Sequence, residues 1–115
     1  MKVKISDIHP MVEASAYKEL ETVMEGSIDF HHPIILLRTT KDEWSSHKEK
    51  SPFIFNPPDI DGEILQIRCG HNRVELLKRV GIETVDALIF DSLDEATEEC
   101  VRQNKWHKRK YGALV

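Results

Sequence analysis

Residues 64–81 have the sequence ILQIRCGHNRVELLKRVG, which predicts a strand, a tight turn and a helix in direct succession. The first six residues alternate apolar and polar side chains, as a strand does. Gly70 permits a sharp change of direction, because glycine adopts backbone angles that other residues avoid. Asn72, with Glu75 three residues later, is typical of a capping box at a helix start. Gly81 is typical of the residue that follows a helix end.

The turn at Gly70 is a candidate anion-binding site. The first N–H groups of a helix have no partner within the helix and lie at the positive end of its dipole, where phosphate is favoured. Arg73 adds a planar fork of donors that suits phosphate oxygens, and Arg68 lies on the preceding strand. His71 is either a phosphate contact or a surface imidazole. The alternative interpretation is that Gly70 is only a turn glycine and Arg73 a solvated helix residue.

Length and composition favour one globular domain. The 115 residues are 40% hydrophobic and 31% charged, enough for one core. No apolar run has the length of a membrane span or a signal peptide, so we expect a cytoplasmic protein without membrane contact. The two cysteines, Cys69 and Cys100, are too few for a disulfide scaffold. A net charge of −4 argues against a protein coated with basic surface for DNA.

The order of the predicted elements indicates an α+β domain with a mixed sheet of about four strands and three main helices. Strands are predicted at residues 2–8, 33–39, 64–69 and 83–90, and helices at residues 12–25, 72–80 and 93–108. Residues 41–62 contain Pro52, Pro57, Pro58 and Gly62 and are predicted to be a long loop. This segment also holds Trp44, Phe53 and Phe55, so we expect it to pack back on the domain.

Several other side chains are candidates for chemistry. Cys69 is either a nucleophile, activated by Arg68 and Arg73, or a core residue. His31 and His32 are adjacent on an extended segment and point in opposite directions, so they do not form one metal site. The acids in or beside loops are candidates for a general base or a magnesium ligand. They are Asp7, Glu13, Asp59 and Asp61.

The segment KWHKRK at residues 105–110 concentrates positive charge. Its cations are Lys105, Lys108, Arg109 and Lys110. They either complement the negative end of the last helix or form a basic C-terminal tail, residues 105–115, that contacts nucleic acid. The sequence leaves both interpretations open.

Several short segments together resemble the ParB/sulfiredoxin-like family, in particular the N-terminal domain of ParB proteins. They are a strand ending at Pro10, a helix at residues 17–21, Ser27-Ile28, HPIIL at residues 32–36, GHNR at residues 70–73 and GIETV at residues 81–85. The resemblance covers residues 3–107, and its most specific part is GHNR, which stands where ParB proteins have GERR. It implies a phosphate-binding loop for a nucleotide, CTP in ParB and ATP in sulfiredoxin.

The resemblance also assigns roles by position. Gly70 and Arg73 match the box directly, while His71 and Asn72 stand where ParB has Glu-Arg and sulfiredoxin Cys-His. The ParB motif ENxxR, which holds a metal and phosphates, is similar to QNKWH at residues 103–107. There Asn104 is kept as a possible Mg²⁺ ligand, Gln103 replaces the acid and His107 replaces the arginine.

These departures from the ParB and sulfiredoxin motifs change which functions the resemblance implies. Loss of the acid weakens the expectation of Mg²⁺ binding and of hydrolysis more than that of nucleotide binding. Peroxiredoxin repair is not expected, because Cys69 lies two residues before the sulfiredoxin cysteine position. Free serine kinases, which are similar in fold, use a glutamate near the first helix as a base, and Glu13 is the nearest candidate here.

Three functional hypotheses follow. The first is a stand-alone ParB-like domain that binds a nucleoside triphosphate, with hydrolase or phosphotransferase chemistry in which Glu13 or Asp61 acts as base. The second is a non-catalytic DNA-binding or protein-binding module that uses the basic segment or the loop at residues 41–62. The third is a ParB-like nuclease, which would need a carboxylate cluster that the sequence does not display.

Overall fold

The structure is a computed structural model that describes residues 1–12 and 33–111, with the side chains of the last helix described as far as Gln103. The predicted helix at residues 12–25, apart from its first residue, lies outside the described residues. The same is true of Glu13, His31 and His32.

The described part of the chain is an α+β fold, as predicted, with five strands in its sheet rather than about four. The strands are β1 (Lys2–Lys4), β2 (Ile8–His9), β3 (Ile34–Thr40), β4 (Glu63–Cys69) and β5 (Thr84–Phe90). The helices are α1 (Lys41–Lys50), α2 (His71–Arg79) and α3 (Leu93–Tyr111). No helix of the described residues is both long and apolar enough to cross a membrane.

The predicted strand at residues 2–8 is wrong in one respect, because a 3₁₀ turn at Ile5–Asp7 divides it into β1 and β2.

The strand order is β1-β5-β3-β4-β2, so β1 and β2 occupy opposite edges of the sheet. In a flat sheet these edges would lie about 19 Å apart at about 4.8 Å per strand. The four residues from Lys4 to Ile8 span at most about 14 Å. The sheet must therefore curl towards a partly closed barrel.

The curled sheet encloses the largest apolar cluster. Every strand contributes to it, and Val74 of α2 fills it from the open side. Its buried members are Val3, Ile5, Ile8, Ile34, Leu36, Ile67, Val74 and Ala87. The opposite face of β3 and β4 packs against α3 through Ile35, Leu37, Cys69 and Ala96. Helix α2 and helix α3 therefore cover different faces of the sheet.

The predicted loop at residues 41–62 is wrong in its first half, which forms α1. Thr40 caps this helix by accepting a hydrogen bond from the Glu43 backbone N–H at 3.3 Å. The helix was missed because Trp44 is its single buried residue, so it lacks an apolar period. Trp44 packs with Ile54 and Ile64 and donates from Nε1 to the Phe55 carbonyl at 2.8 Å. The expected packing against the domain is thus confirmed for Trp44, whereas Phe53 is 90% exposed.

The turn after β4 is made by one residue. Helix α2 begins at His71 and Gly70 is its N-cap, with φ of 103° and no side-chain cap. The predicted capping box of Asn72 and Glu75 is therefore wrong. Strand β4 stays paired with β3 as far as Cys69, which leaves Gly70 alone to reverse the direction of the chain. A Cβ atom on Gly70 would lie 2.6 Å from Cγ2 of Ile34.

We predict that Gly70→Ala destabilises the fold by about 2 kcal/mol more than Gly62→Ala. Both glycines have positive φ, which costs about 1–2 kcal/mol for alanine. Only Gly70 adds a steric clash, because nothing lies within 4 Å of a Cβ at Gly62. Urea unfolding of both variants measures the difference, and equal losses of unfolding free energy would contradict the close contact with Ile34.

Candidate functional site

A β-bulge shapes the end of β4. Ile35 lies opposite Cys69 and Leu36 lies opposite Ile67, so Arg68 is the extra residue on β4. Bulges redirect side chains and occur often beside functional sites. Here Arg68 Nη1 donates to Gln66 Oε1 at 3.2 Å, and Cys69 packs against Ala96 of α3. The bulge thus brings Arg68 and Cys69 to the α3 side of the sheet, beside the start of α2.

Arg68 is a partly buried cation. Its Nη1 atom lies 2.6 Å from Met11 Sδ, and burial lowers its pKa from the ordinary value. Guanidinium nevertheless stays charged in proteins. Among residues 1–12 and 33–103 it contacts no carboxylate. The described surroundings therefore leave its positive charge without a counter-ion.

His71 is neither a surface imidazole nor an exposed cation. Its Nε2 atom accepts a hydrogen bond from the Met11 backbone N–H at 3.0 Å. Burial, and secondly the charge of Arg68, lower the pKa of His71 to about 4. The imidazole is therefore neutral near pH 7 and fixes the segment after β2 against α2.

Arg73 points into the protein. It is 4% exposed, and its Nη2 donates to Gln103 Oε1 of α3 at 3.2 Å. Gln103 Nε2 donates in turn to the Pro33 carbonyl at 3.0 Å. The interpretation of Arg73 as a solvated residue is wrong, and its fork is directed towards Gln103. Arg73 thus connects the start of α2 to α3 at the point where β3 begins.

The Cys69 thiol lies beside Arg73, and Cys100 packs against the same cluster as Cys69. The Cys69 Sγ also lies 3.8 Å from Gln103 Oε1, so one amide oxygen receives both the thiol and the guanidinium. The hydrogen bond from Cys100 and the charge of Arg73 lower the pKa of Cys69 to about 7. The same pairing, together with burial, raises the pKa of Cys100. The proximity of the two cysteines was not predicted from the sequence, although Ala96, Cys100 and Gln103 share the spacing of one helix face.

The structure places the predicted site residues in three groups. Arg68, Gly70, His71, Asn72 and Arg73 gather at the end of β4. Asn104 and His107 lie on α3 beyond Gln103, but their side chains are outside the described set. The same holds for the basic residues of α3, which are Lys105, Lys108, Arg109 and Lys110.

Asp61, which was predicted as a catalytic base, lies at the other end of β4 from Gly70. It precedes β4, whereas Gly70 follows β4. Seven strand residues separate them, which corresponds to about 23 Å. Asp59, at the same far end, pairs with Lys41 at 2.7 Å. Within the described residues, no group of three or more His, Cys, Asp or Glu side chains is arranged to hold a metal ion.

Comparison of the chain with protein-family models and with curated protein sequences gives no match.

We predict that His71 titrates with a midpoint of about 4 rather than 6.5. Because its pKa is lower in the folded state, the unfolded chain binds more protons between these values. Stability should therefore fall as the pH drops from about 6.5 to about 4. In His71→Gln, where an amide oxygen can still accept from Met11, this fall should be smaller.

Proton NMR titration and urea unfolding at several pH values measure both effects. His9→Gln is the control, since burial also lowers the pKa of His9 but its side chain is not the acceptor of the Met11 N–H. A His71 midpoint near 6.5 would contradict the buried hydrogen bond to Met11.

Proposed function

We propose that this domain binds a nucleoside triphosphate, CTP or ATP, with its phosphates at the start of α2. The observation that carries the proposal is the pairing of two features at the end of β4. One is a helix N-terminus whose cap, Gly70, has no side chain to satisfy it. The other is the Arg68 guanidinium, which has no carboxylate partner among the described residues.

The geometry favours phosphate over a neutral ligand. The backbone N–H groups at the start of α2 lie at the positive end of its dipole. Gly70 allows a ligand oxygen to approach the backbone closely. Partial burial of Arg68 strengthens its attraction for an anion, because charges interact more strongly away from water. The resemblance of GHNR to the ParB phosphate box supports the same assignment.

Arg73, unlike Arg68, acts on the proposed site indirectly. Its guanidinium is held by Gln103 beneath the turn, so it contributes charge from behind the site and positions α2. This arrangement makes Arg73→Ala a poor test, because the variant would lose a buried structural contact as well as charge. Arg68 is the better probe, since it is partly exposed.

We propose nucleotide binding and assign no catalytic role to the domain. Phosphoryl transfer depends on positioning and charge neutralisation. Of the two predicted bases, Glu13 lies outside the described residues and Asp61 lies at the other end of β4 from Gly70. Magnesium prefers carboxylate and phosphate oxygens. Gln103 offers an amide where ParB has an acid, and its two polar atoms already bond Arg73 and Pro33. The described residues therefore do not fit a protein-held Mg²⁺, and no step is assigned to one.

We predict that Arg68→Ala weakens nucleotide binding by about 10-fold or more, the size expected for a charged hydrogen bond to phosphate. Isothermal titration with CTP, ATP, GTP and ADP, with and without Mg²⁺, measures the affinities. Arg102→Ala is the matched control, because Arg102 is 72% exposed on α3 and pairs with Glu99. Absence of heat with every nucleotide, or equal affinities of the two variants, would refute the proposal.

A further inference from the structure

The two cysteines of the chain form a pair that the proposed nucleotide site does not use. Cys69 ends β4, and Cys100 lies in the middle of α3. Cys69 belongs to the buried cluster that contains Ile35, Leu37 and Ala96, and Cys100 packs against that cluster. The Cys69 sulfur also lies 3.8 Å from Gln103 Oε1, so it faces the side of α3 on which Cys100 lies between Ala96 and Gln103. Neither cysteine forms a disulfide in the structure. Because both side chains pack in one cluster, a local adjustment can bring their sulfur atoms to the S–S bond length of about 2 Å.

The surroundings favour one negative charge on this pair. Arg73 and Arg68 supply positive charge from α2 and β4. The Gln103 Oε1 atom, an acceptor 3.8 Å from the Cys69 sulfur, favours the remaining proton on Cys69. Glu99 on α3 opposes the charge. The balance favours the monoanion, since the pKa of Cys69 falls to about 7 and that of Cys100 rises. The two thiols titrate as a coupled pair, so the remaining proton is shared between the sulfurs.

The pair can be reached from solvent through one member. Cys69 is 4% exposed, whereas Cys100 is only partly buried. When the shared proton lies on Cys69, the negative charge lies on the accessible sulfur of Cys100. An oxidant can then react at Cys100, and Cys69 lies near enough to react with the oxidised Cys100 in a second step. This is the arrangement of a reactive thiol with a resolving partner.

We propose that Cys69 and Cys100 are an oxidisable dithiol that a hydroperoxide converts into an intramolecular disulfide. In the first step the Cys100 thiolate attacks one oxygen of hydrogen peroxide, the O–O bond breaks, and Cys100 becomes a sulfenic acid as hydroxide leaves. In the second step the Cys69 sulfur attacks the Cys100 sulfur, the S–O bond breaks, and the Cys69 proton leaves with the hydroxyl group as water. The peroxide is reduced by two electrons and the two thiols are oxidised.

The product would join the end of β4 to α3 beside Gly70. It would also remove the thiolate that faces Arg73. The cross-link would close a loop of about thirty residues that contains α2 and β5, which restricts mainly the unfolded chain. The proposal does not depend on nucleotide binding.

Peptide mapping gives a direct test. The reduced full chain is treated with hydrogen peroxide, then alkylated and digested with trypsin without reductant. Cleavage after arginine places Cys69 in residues 69–73 and Cys100 in residues 80–102. We expect these two peptides to be linked, the protein to remain the same size, and dithiothreitol to restore both thiols. Sulfinic acid on either cysteine, or links between different chains only, would overturn the proposal.

The rate of thiol loss separates a reactive pair from an inert buried pair. The reference is the same chain unfolded in urea, whose thiols have ordinary pKa values near 8.5. At pH 7 the folded chain should lose thiols several-fold faster, with a pH midpoint near 7. Cys100→Ser should abolish the link, and Cys69→Ser should stop at a sulfenic acid that a dimedone probe traps. A folded chain that reacts no faster than the unfolded one would overturn the proposal.

Discussion

The site depends on one steric constraint, the absence of a Cβ atom at Gly70. Ile34 Cγ2 lies only 2.6 Å from the position that such an atom would take, and β4 remains paired as far as Cys69, directly before Gly70. Because the chain reverses in a single residue, α2 starts directly against the sheet. Arg68, His71 and Arg73 consequently come together from one short segment. A longer turn would separate these three side chains.

The two arginines beside this turn are in different environments. Arg73 is buried, is held by Gln103 and faces a thiol of lowered pKa. Arg68 is partly exposed and contacts only a thioether and an amide oxygen among the described residues. Arg73 has a structural role, since its loss would leave buried polar groups unpaired. Arg68 keeps a positive charge that an anion can reach. This difference explains why the proposed site and the thiol pair can share one end of the sheet.

Local patterns in the sequence were the easiest to interpret. The succession of strand, glycine and helix at residues 64–81 was predicted because every signal lies within a few residues. Helix α1 was missed because a polar helix with one buried tryptophan has no apolar period. The break at Ile5–Asp7 was missed because two short strands and one long strand show the same alternation. The contact of Gln103 with Arg73 depends on how distant segments meet, which a single sequence does not encode locally. The separation of Asp61 from Gly70, by contrast, follows from the predicted strand between them.

The N-terminal segment that supplies both edges of the sheet has a consequence for folding. Lys2 pairs with Asp86 and Ile8 pairs with Leu65, so both strands of this segment pair with residues far away in the sequence. Contacts of such long sequence separation slow folding, because the intervening chain must be ordered before they form. Closure of the barrel-like sheet is therefore a late step, and until it happens β4 and β5 both present unpaired edges to other chains.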